Sequence, residues 1–299
     1  MNTPHDILYK SEAYLNIKRF KIFKNSILIY EANYNELLKS FYRHEKLNLA
    51  ELLDKPNGRK ILYKHHDKIS SHLFNYLAST FSLIRATSVY YNECFKPKDL
   101  IIEYDNKIKK EVNSQAVKKF IDDLRNYIQH KEIPDIVTQT VFEANPSIDF
   151  KSYIKFQTED LLKYKKWSKL SKEYIKDNAK SLIIPKAVND FHLIFKSFTD
   201  WFIQQVEDCL QDDRNKVEKL RLKMNTEFVK LNVHWYFEFG DQNISGFEKT
   251  FLPKFTKWEK IVIKREKNRG RRVVKILSTI KKYVNINKDF EARVTDLYK

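Results

Sequence analysis

Four glycines and seven prolines in 299 residues are too few turn-formers for a fold of many short strands, so an all-β architecture is excluded. So few glycines also leave little room for loops that cradle phosphates. Neither a GxxxxGK[ST] nor a GxGxxG pattern occurs, which disfavours nucleotide hydrolysis. The two cysteines, Cys94 and Cys209, lie far apart and form no CxxC pair, so neither a disulfide framework nor a cysteine-rich zinc site is indicated. No apolar run reaches the roughly 18 to 20 residues that span a bilayer, and Met1 to Lys10 lack the apolar stretch of a secretory signal. The expectation is a cytoplasmic protein with no membrane partner. His65, His66 and His72 fall on one helical stretch, but neither His65 nor His66 is four residues from His72, and no HExxH pattern or carboxylate cluster accompanies them. No metal or other cofactor is expected.

What is present is apolar and basic. Apolar residues make up 42% of the chain, with 21 Phe and 17 Tyr, enough to bury a sizeable core. With breakers so scarce, the natural fold class is mainly α. The formal charge of +17 attracts polyanions over long range, and nucleic acid is the leading partner. A lysine-rich compositional bias accounts for the same excess without any partner.

Arg59 to Phe95 runs without Gly or Pro, and Ile69, Leu73, Leu77, Phe81 and Ile84 recur at three- and four-residue spacing, which predicts one long amphipathic helix between Pro56-Asn57-Gly58 and Pro97. A second helix is expected from about Ser114 to Ile128, with Val117, Phe120, Ile121, Leu124, Tyr127 and Ile128 in one stripe. Pro134 bars its continuation. Ile136 to Glu143 and Asp149 to Gln157, split by Asn145-Pro146, suit a short β-hairpin. Glu159 to Asn178 reads as helical, and a further helix is expected from Pro185 toward Val233. The aromatic run Trp235, Tyr236, Phe237 and Phe239 reads as strand or loop. These breaks divide the chain into an N-terminal helical extension (1–58), a helical core (59–235) and a basic C-terminal segment (236–299).

Between Lys254 and Tyr283 stand twelve Lys or Arg against two Glu, a local balance of +10. Lys254, Lys257, Lys260, Lys264, Arg265, Lys267, Arg269, Arg271, Arg272 and Lys275, with Trp258 among them, are the candidate nucleic-acid contacts. Phe255 and Tyr283 are interleaved with them. A solvated cationic helix with its aromatics in a local core fits the same pattern.

The segment Phe120-Ile121-Asp122-Asp123-Leu124-Arg125-Asn126-Tyr127-Ile128-Gln129-His130 ends an amphipathic helix just before Pro134. Here the chain resembles the HEPN family, marked by an Arg, a polar residue directly after it and a later His with four to six residues between it and the Arg, near the end of a helix in a small bundle. Arg125, Asn126 and His130 match. Arg59 with His65 or His66 also satisfies the spacing, but near the start of its helix. The resemblance covers about residues 59 to 235 and implies a HEPN-like helical bundle, with the hairpin as an insertion and the basic segment as an extension.

It implies, further, a metal-independent endoribonuclease acting through the 2′-hydroxyl and leaving 2′,3′-cyclic phosphate and 5′-hydroxyl ends. Such chemistry needs a group that exchanges a proton near neutrality and a cation for the charge that develops on phosphorus, tasks suited to His and Arg. His130 would be general acid/base, Arg125 phosphate clamp and Asn126 orienting group. At about 100° per residue, Arg125 and His130 project roughly 140° apart. Either the helix ends before His130 or two protomers share one site, as the motif helices of HEPN ribonucleases do across a homodimer interface. The setting implied is a toxin or antiphage effector whose RNA cleavage halts growth, held silent by an antitoxin or awaiting an activating partner. From residue chemistry alone, Arg125 and His130 also suit capping of the helix end, and Asp122 suits an i,i+3 pair with Arg125. The alternative function is a non-catalytic HEPN-like scaffold that dimerises and binds nucleic acid.

Overall fold

The structure, a computed structural model, describes residues 4–143, 149–178, 182–240 and 242–299. The chain is mainly α. In order come α1 (Pro4–Tyr9), α2 (Glu12–Glu45), α3 (Leu49–Asp54), α4 (Gly58–Cys94), α5 (Tyr104–Lys107), a π-helical turn (Ile108–Asn113) and α6 (Ala116–His130). A β-hairpin follows, β1 (Ile136–Glu143) and β2 (Asp149–Phe156), then α7 (Thr158–Leu162), α8 (Lys169–Asp177), β3 (Leu182–Ile183), α9 (Ile184–Cys209) and α10 (Gln211–Phe239). The last helices are α11 (Ile244–Phe251), α12 (Lys257–Arg265), α13 (Arg269–Tyr283) and α14 (Lys288–Leu297). The strands form one antiparallel sheet in the order β1-β2-β3, with Ile136 opposite Phe156 and Lys155 opposite Ile183. Asn145-Pro146, the expected hairpin turn, lies outside the described residues.

The helices packed against one another divide into two compact units, Arg19–Cys209 and Met1–Lys18 with Leu210–Lys299. Pro56-Asn57 separates α3 from α4 and Gly240 follows α10, and neither break falls at the end of a unit. Within 19–209, α9 presents a fully buried face. Phe191, Phe195, Phe198, Phe202 and Val206 recur at helical spacing and none is more than 1% exposed. Their rings run as a ladder, Phe191 to Phe195 at 5.6 Å and Phe198 to Phe202 at 6.5 Å, and Tyr30 and Phe23 of α2 meet it edge-on at 5.7 and 5.6 Å. Tyr90 of α4 also meets Phe202 edge-on at 6.4 Å, α6 packs on α9, and Leu73, Tyr76, Leu77 and Leu83 of α4 and Ile121 and Leu124 of α6 are buried in the same unit.

The other unit has its own core, built from Val229, Tyr236 and Phe237 of α10, Phe247 and Phe251 of α11, Ile263 of α12, Ile276 and Ile280 of α13 and Phe290 and Val294 of α14. Asparagine or threonine caps begin most of its helices. Asn243, Asn268 and Asn287 each accept a backbone N–H three residues on, and Thr256 with Glu259 forms a capping box.

Three expectations are corrected. The aromatic run 235–239 continues α10 as helix, because Tyr236 and Phe237 are drawn into the core from one helical face. The helix expected from Pro185 to Val233 is two helices that break at Leu210. Glu159 to Asn178 is likewise divided into α7 and α8, with the Trp167 indole in the connection donating to the Leu161 carbonyl at 2.6 Å.

Truncating the ladder tests the core. Phe198→Ala removes a ring enclosed on all sides, and chemical denaturation is expected to show a loss of about 3–5 kcal/mol. A loss below about 1 kcal/mol would show that the α9 face is not the core of its unit.

Candidate functional site

The apolar stripe Val117, Phe120, Ile121, Leu124 and Tyr127 is buried, which fixes which residues of α6 face outward. Two further contacts hold the helix. Phe120 and Tyr127 stack on Trp167 at 5.8 and 5.7 Å, and the Asp123 carboxylate accepts from the Ser168 backbone N–H at 2.8 Å and the Ser171 hydroxyl at 2.6 Å, at the start of α8. The helix stays α-helical through His130 and is closed by the Lys131 N–H on the Tyr127 carbonyl at 2.8 Å. An early helix end that would swing His130 toward Arg125 is therefore not the solution adopted.

Arg125 is half-buried, and its guanidinium lies 4.7 Å from the centre of the Phe81 ring of α4. The Asp122 carboxylate, the acid that helical spacing offers to Arg125, is taken instead by Lys118, one turn earlier. The Lys118 and Asp122 side chains are only 8% and 19% exposed. Burial pushes the Asp122 carboxyl above its ordinary pKa, against the pull of Lys118. Among the described residues Arg125 has no carboxylate partner, and its Nε is enclosed without a hydrogen-bond acceptor. A guanidinium so placed pays for desolvation without an internal counter-ion, which favours an anion brought from outside.

Asn126 and His130 are both exposed, and at i,i+4 they share a face. His130 has no hydrogen-bond partner among the described residues. Beside this end of α6 a cavity of about 290 Å³ is lined by Tyr127, Lys131, Pro134, Phe156, Gln157 and Asp160 among others. The Lys131 ammonium, raised above its ordinary pKa by hydrogen bonds to Glu132 and Tyr127, stands at its edge. Within one chain, then, α6 carries Asn126 and His130 on one face, with Arg125 about 100° from Asn126 and about 140° from His130 around the helix. Lys118 was not singled out from sequence, and Phe81 was read only as part of the apolar stripe of α4. The i,i+4 spacing of Lys118 and Asp122 was the available signal, but Arg125 at i+3 competes for the same acid.

The expected basic contacts separate into two sets. Arg272 grips Glu248 with two hydrogen bonds, Nε to Oε1 at 2.8 Å and Nη2 to Oε2 at 2.6 Å, and Tyr298 donates to the same carboxylate at 2.8 Å. Lys275 pairs with Glu266 at 2.8 Å, Lys260 donates to the Pro253 carbonyl at 2.9 Å, and the Lys254 ammonium sits 4.2 Å from the Phe228 ring centre. These four stabilise the fold. Lys257, Lys264, Arg265, Lys267, Arg269 and Arg271 are exposed and hold no ion pair among the described residues, and Trp258 is 73% exposed. Phe255 and Tyr283 are buried and stack on each other at 5.8 Å, so they belong to the local core.

A histidine cluster ties the hairpin to the bundle. The Thr138 hydroxyl of β1 is 2.8 Å from His66 Nε2 and 3.1 Å from His44 Nε2. One hydroxyl proton serves only one ring, so the other ring donates its own N–H. His44 is fully buried and its Nδ1 has no partner, so the cheaper tautomer leaves Nδ1 bare and donates from Nε2. Further along α4, His72 Nδ1 lies 2.6 Å from the Ser40 hydroxyl of α2. Elsewhere in the same unit His192 lies 2.9 Å from the Tyr30 hydroxyl and stacks on Tyr34 at 3.5 Å. No group of three or more His, Cys, Asp or Glu side chains among the described residues is placed to hold a metal ion, and no described helix is long and apolar enough to cross a membrane.

No family model, curated protein or solved structure matches the chain.

The buried imidazoles generate a pH prediction. Burial, with help from His66 and His65, holds His44 at about 4, below the ordinary 6.5, and burial with Lys196 does the same for His192. The unfolded chain therefore binds more protons than the folded one between these values, so the contribution is complete above about pH 6.5 and is lost as pH falls toward 4. Melting temperature is expected to drop over that window, and less steeply in a His44→Gln/His192→Gln variant. A melting temperature that rises on acidification would contradict these assignments.

Proposed function

We propose that the chain is a metal-independent endoribonuclease of HEPN type, in which Arg125 of one protomer and His130 of another act on one phosphodiester. The observation that carries this reading is half-buried Arg125, without a carboxylate partner among the described residues, on the helix that also exposes Asn126 and His130. A pair of α6 helices facing each other across a two-fold axis would supply each site with an Arg from one chain and a His from the other.

In such a site His130 removes the 2′-hydroxyl proton and, after the 2′-oxygen attacks phosphorus, a proton is returned to the departing 5′-oxygen. The bond from phosphorus to that 5′-oxygen breaks, leaving a 2′,3′-cyclic phosphate and a 5′-hydroxyl. Arg125, already oriented by Phe81, meets the negative charge that grows on the non-bridging oxygens. Asn126 orients the imidazole or a phosphate oxygen. The exposed cations of α12 and α13 attract the RNA. The biological setting we propose is a toxin or antiphage effector restrained by a partner until needed.

Incubation with RNA in excess chelator tests the proposal. Wild type is expected to produce cyclic-phosphate ends, with Arg125→Ala and His130→Ala each slowed by about 10²- to 10⁴-fold. Equal behaviour of all three proteins, with RNA bound but uncut, would leave the dimerising, nucleic-acid-binding scaffold as the function.

A further inference from the structure

The cavity of about 290 Å³ beside the end of α6 is lined by an excess of acid, in a chain that carries +17 overall. Three carboxylates, Glu132, Asp135 and Asp160, stand against two ammonium groups, Lys131 and Lys163. Both ammonium groups are already engaged, Lys131 with Glu132 at 2.7 Å and Lys163 with Asp160 at 2.6 Å. The Tyr127 hydroxyl is closed in the same way, accepting from Lys131 at 3.1 Å and donating to Glu132 at 3.2 Å. A phosphate group finds no open cation here. What stays open is one carboxylate and one amide: Asp135 and Gln157 are exposed, and neither side chain has a hydrogen bond or ion pair among the described residues. The hairpin register brings these two together. Ile136 is opposite Phe156, so one position outward Asp135 is opposite Gln157 at the open end of the β1-β2 ladder, and both line the cavity. Opposed residues of an antiparallel pair are about 4.5–5.5 Å apart with their side chains on the same side.

We propose that this cavity holds the guanine base of an unpaired RNA nucleotide, with the Asp135 carboxylate accepting from N1–H and N2–H and the Gln157 amide donating to O6. The hydrogen-bonding pattern selects the base. An ionised carboxylate only accepts, and guanine alone carries two adjacent N–H donors on its Watson–Crick edge, with an acceptor beside them. Adenine, cytosine and uracil each set an acceptor next to their donor, which would face the second carboxylate oxygen lone pair to lone pair. The base, not the phosphate, is the part of a nucleotide that an acid-rich cavity admits. Tyr127 and His130 are neighbours at i,i+3 on α6 and Lys131 directly follows His130, so the ribose of a seated guanosine lies toward that imidazole. The inference rests on the ribonuclease reading and adds a specificity to it: the nucleotide held here is the one whose 2′-hydroxyl attacks, and the cut falls on the 3′ side of guanosine.

The test uses the full-length chain in two assays. In the first, a dinucleotide of 2′-deoxyguanosine followed by uridine, which lacks the attacking hydroxyl, is titrated calorimetrically beside its deoxyadenosine and deoxyinosine counterparts; inosine keeps N1–H and O6 but has no N2–H. The guanine probe is expected to bind at least about tenfold more tightly than the adenine probe, with the inosine probe between them. Asp135→Asn, a change at an exposed position that is checked for an unchanged melting temperature, should erase the difference. In the second assay an RNA containing all four bases in every neighbour combination is cut and its ends are mapped, and cleavage is expected on the 3′ side of guanosine. Equal or undetectable binding of the three probes, or a guanine preference that survives Asp135→Asn, would overturn the proposal. Because the dinucleotides cannot be cut, the two readings fail separately: guanine-selective binding by a chain that cleaves no RNA would sink only the ribonuclease, and cleavage spread evenly over the four bases would sink only the guanine pocket.

Discussion

Five residues of a regular α-helix carry a side chain about 140° around the axis and about 7.5 Å along it, and α6 is regular from Ala116 to His130. The catalytic arrangement proposed for this chain depends on that constraint. It sets Arg125 against Phe81 and turns Asn126 and His130 outward, so a single chain does not aim the guanidinium and the imidazole at one point. The helix has no freedom to adjust, because its apolar stripe is buried, Asp123 is tied to the start of α8, and Trp167 is stacked against both Phe120 and Tyr127. A rigid helix that separates two groups within one chain is well suited to present each of them to a second copy.

The electrostatics around Arg125 follow from a competition along one helical face. Asp122 has Lys118 at i−4 and Arg125 at i+3, and it takes Lys118. A buried lysine without a partner would cost more than a half-buried arginine lying on an aromatic ring, since the guanidinium is more weakly hydrated and its delocalised charge is stabilised by the ring face. The outcome is a closed ion pair beside an open cation. In the C-terminal unit a similar sorting occurs: Arg272 and Lys275 are bound to Glu248 and Glu266, while Lys257, Lys264, Arg265, Arg269 and Arg271 of α12 and α13 have no ion pair among the described residues.

Much of the architecture was legible in the residues. The helices α4 and α6 and the hairpin strands stand close to where the apolar spacing and the breakers Gly58, Pro97 and Pro134 put them. The break between α9 and α10 was not legible, since Cys209-Leu210-Gln211 contains neither Gly nor Pro and the turn there answers to packing. Residues 235 to 239 misled because aromatic-rich runs favour strands only when a sheet offers a pleated surface, and here a helical core accepts Tyr236 and Phe237 instead. At the site, the spacing of Arg125, Asn126 and His130 was visible, whereas the choice of Lys118 by Asp122 was not, because sequence permits both partners. The structural roles of Arg272 and of the Thr138 contact with His44 and His66 depend on residues 24, 94 and 72 positions away. Such contacts leave no local trace.

Mixing two inactive chains tests the shared site directly. If each site takes its arginine from one protomer and its histidine from the other, a heterodimer of Arg125→Ala and His130→Ala chains contains one intact site and one doubly damaged one. Equal mixing, with subunits exchanged, should then restore about one quarter of wild-type cleavage, from half the dimers each carrying one of two sites. A mixture as inactive as either chain alone, with heterodimers demonstrably present, would contradict the account.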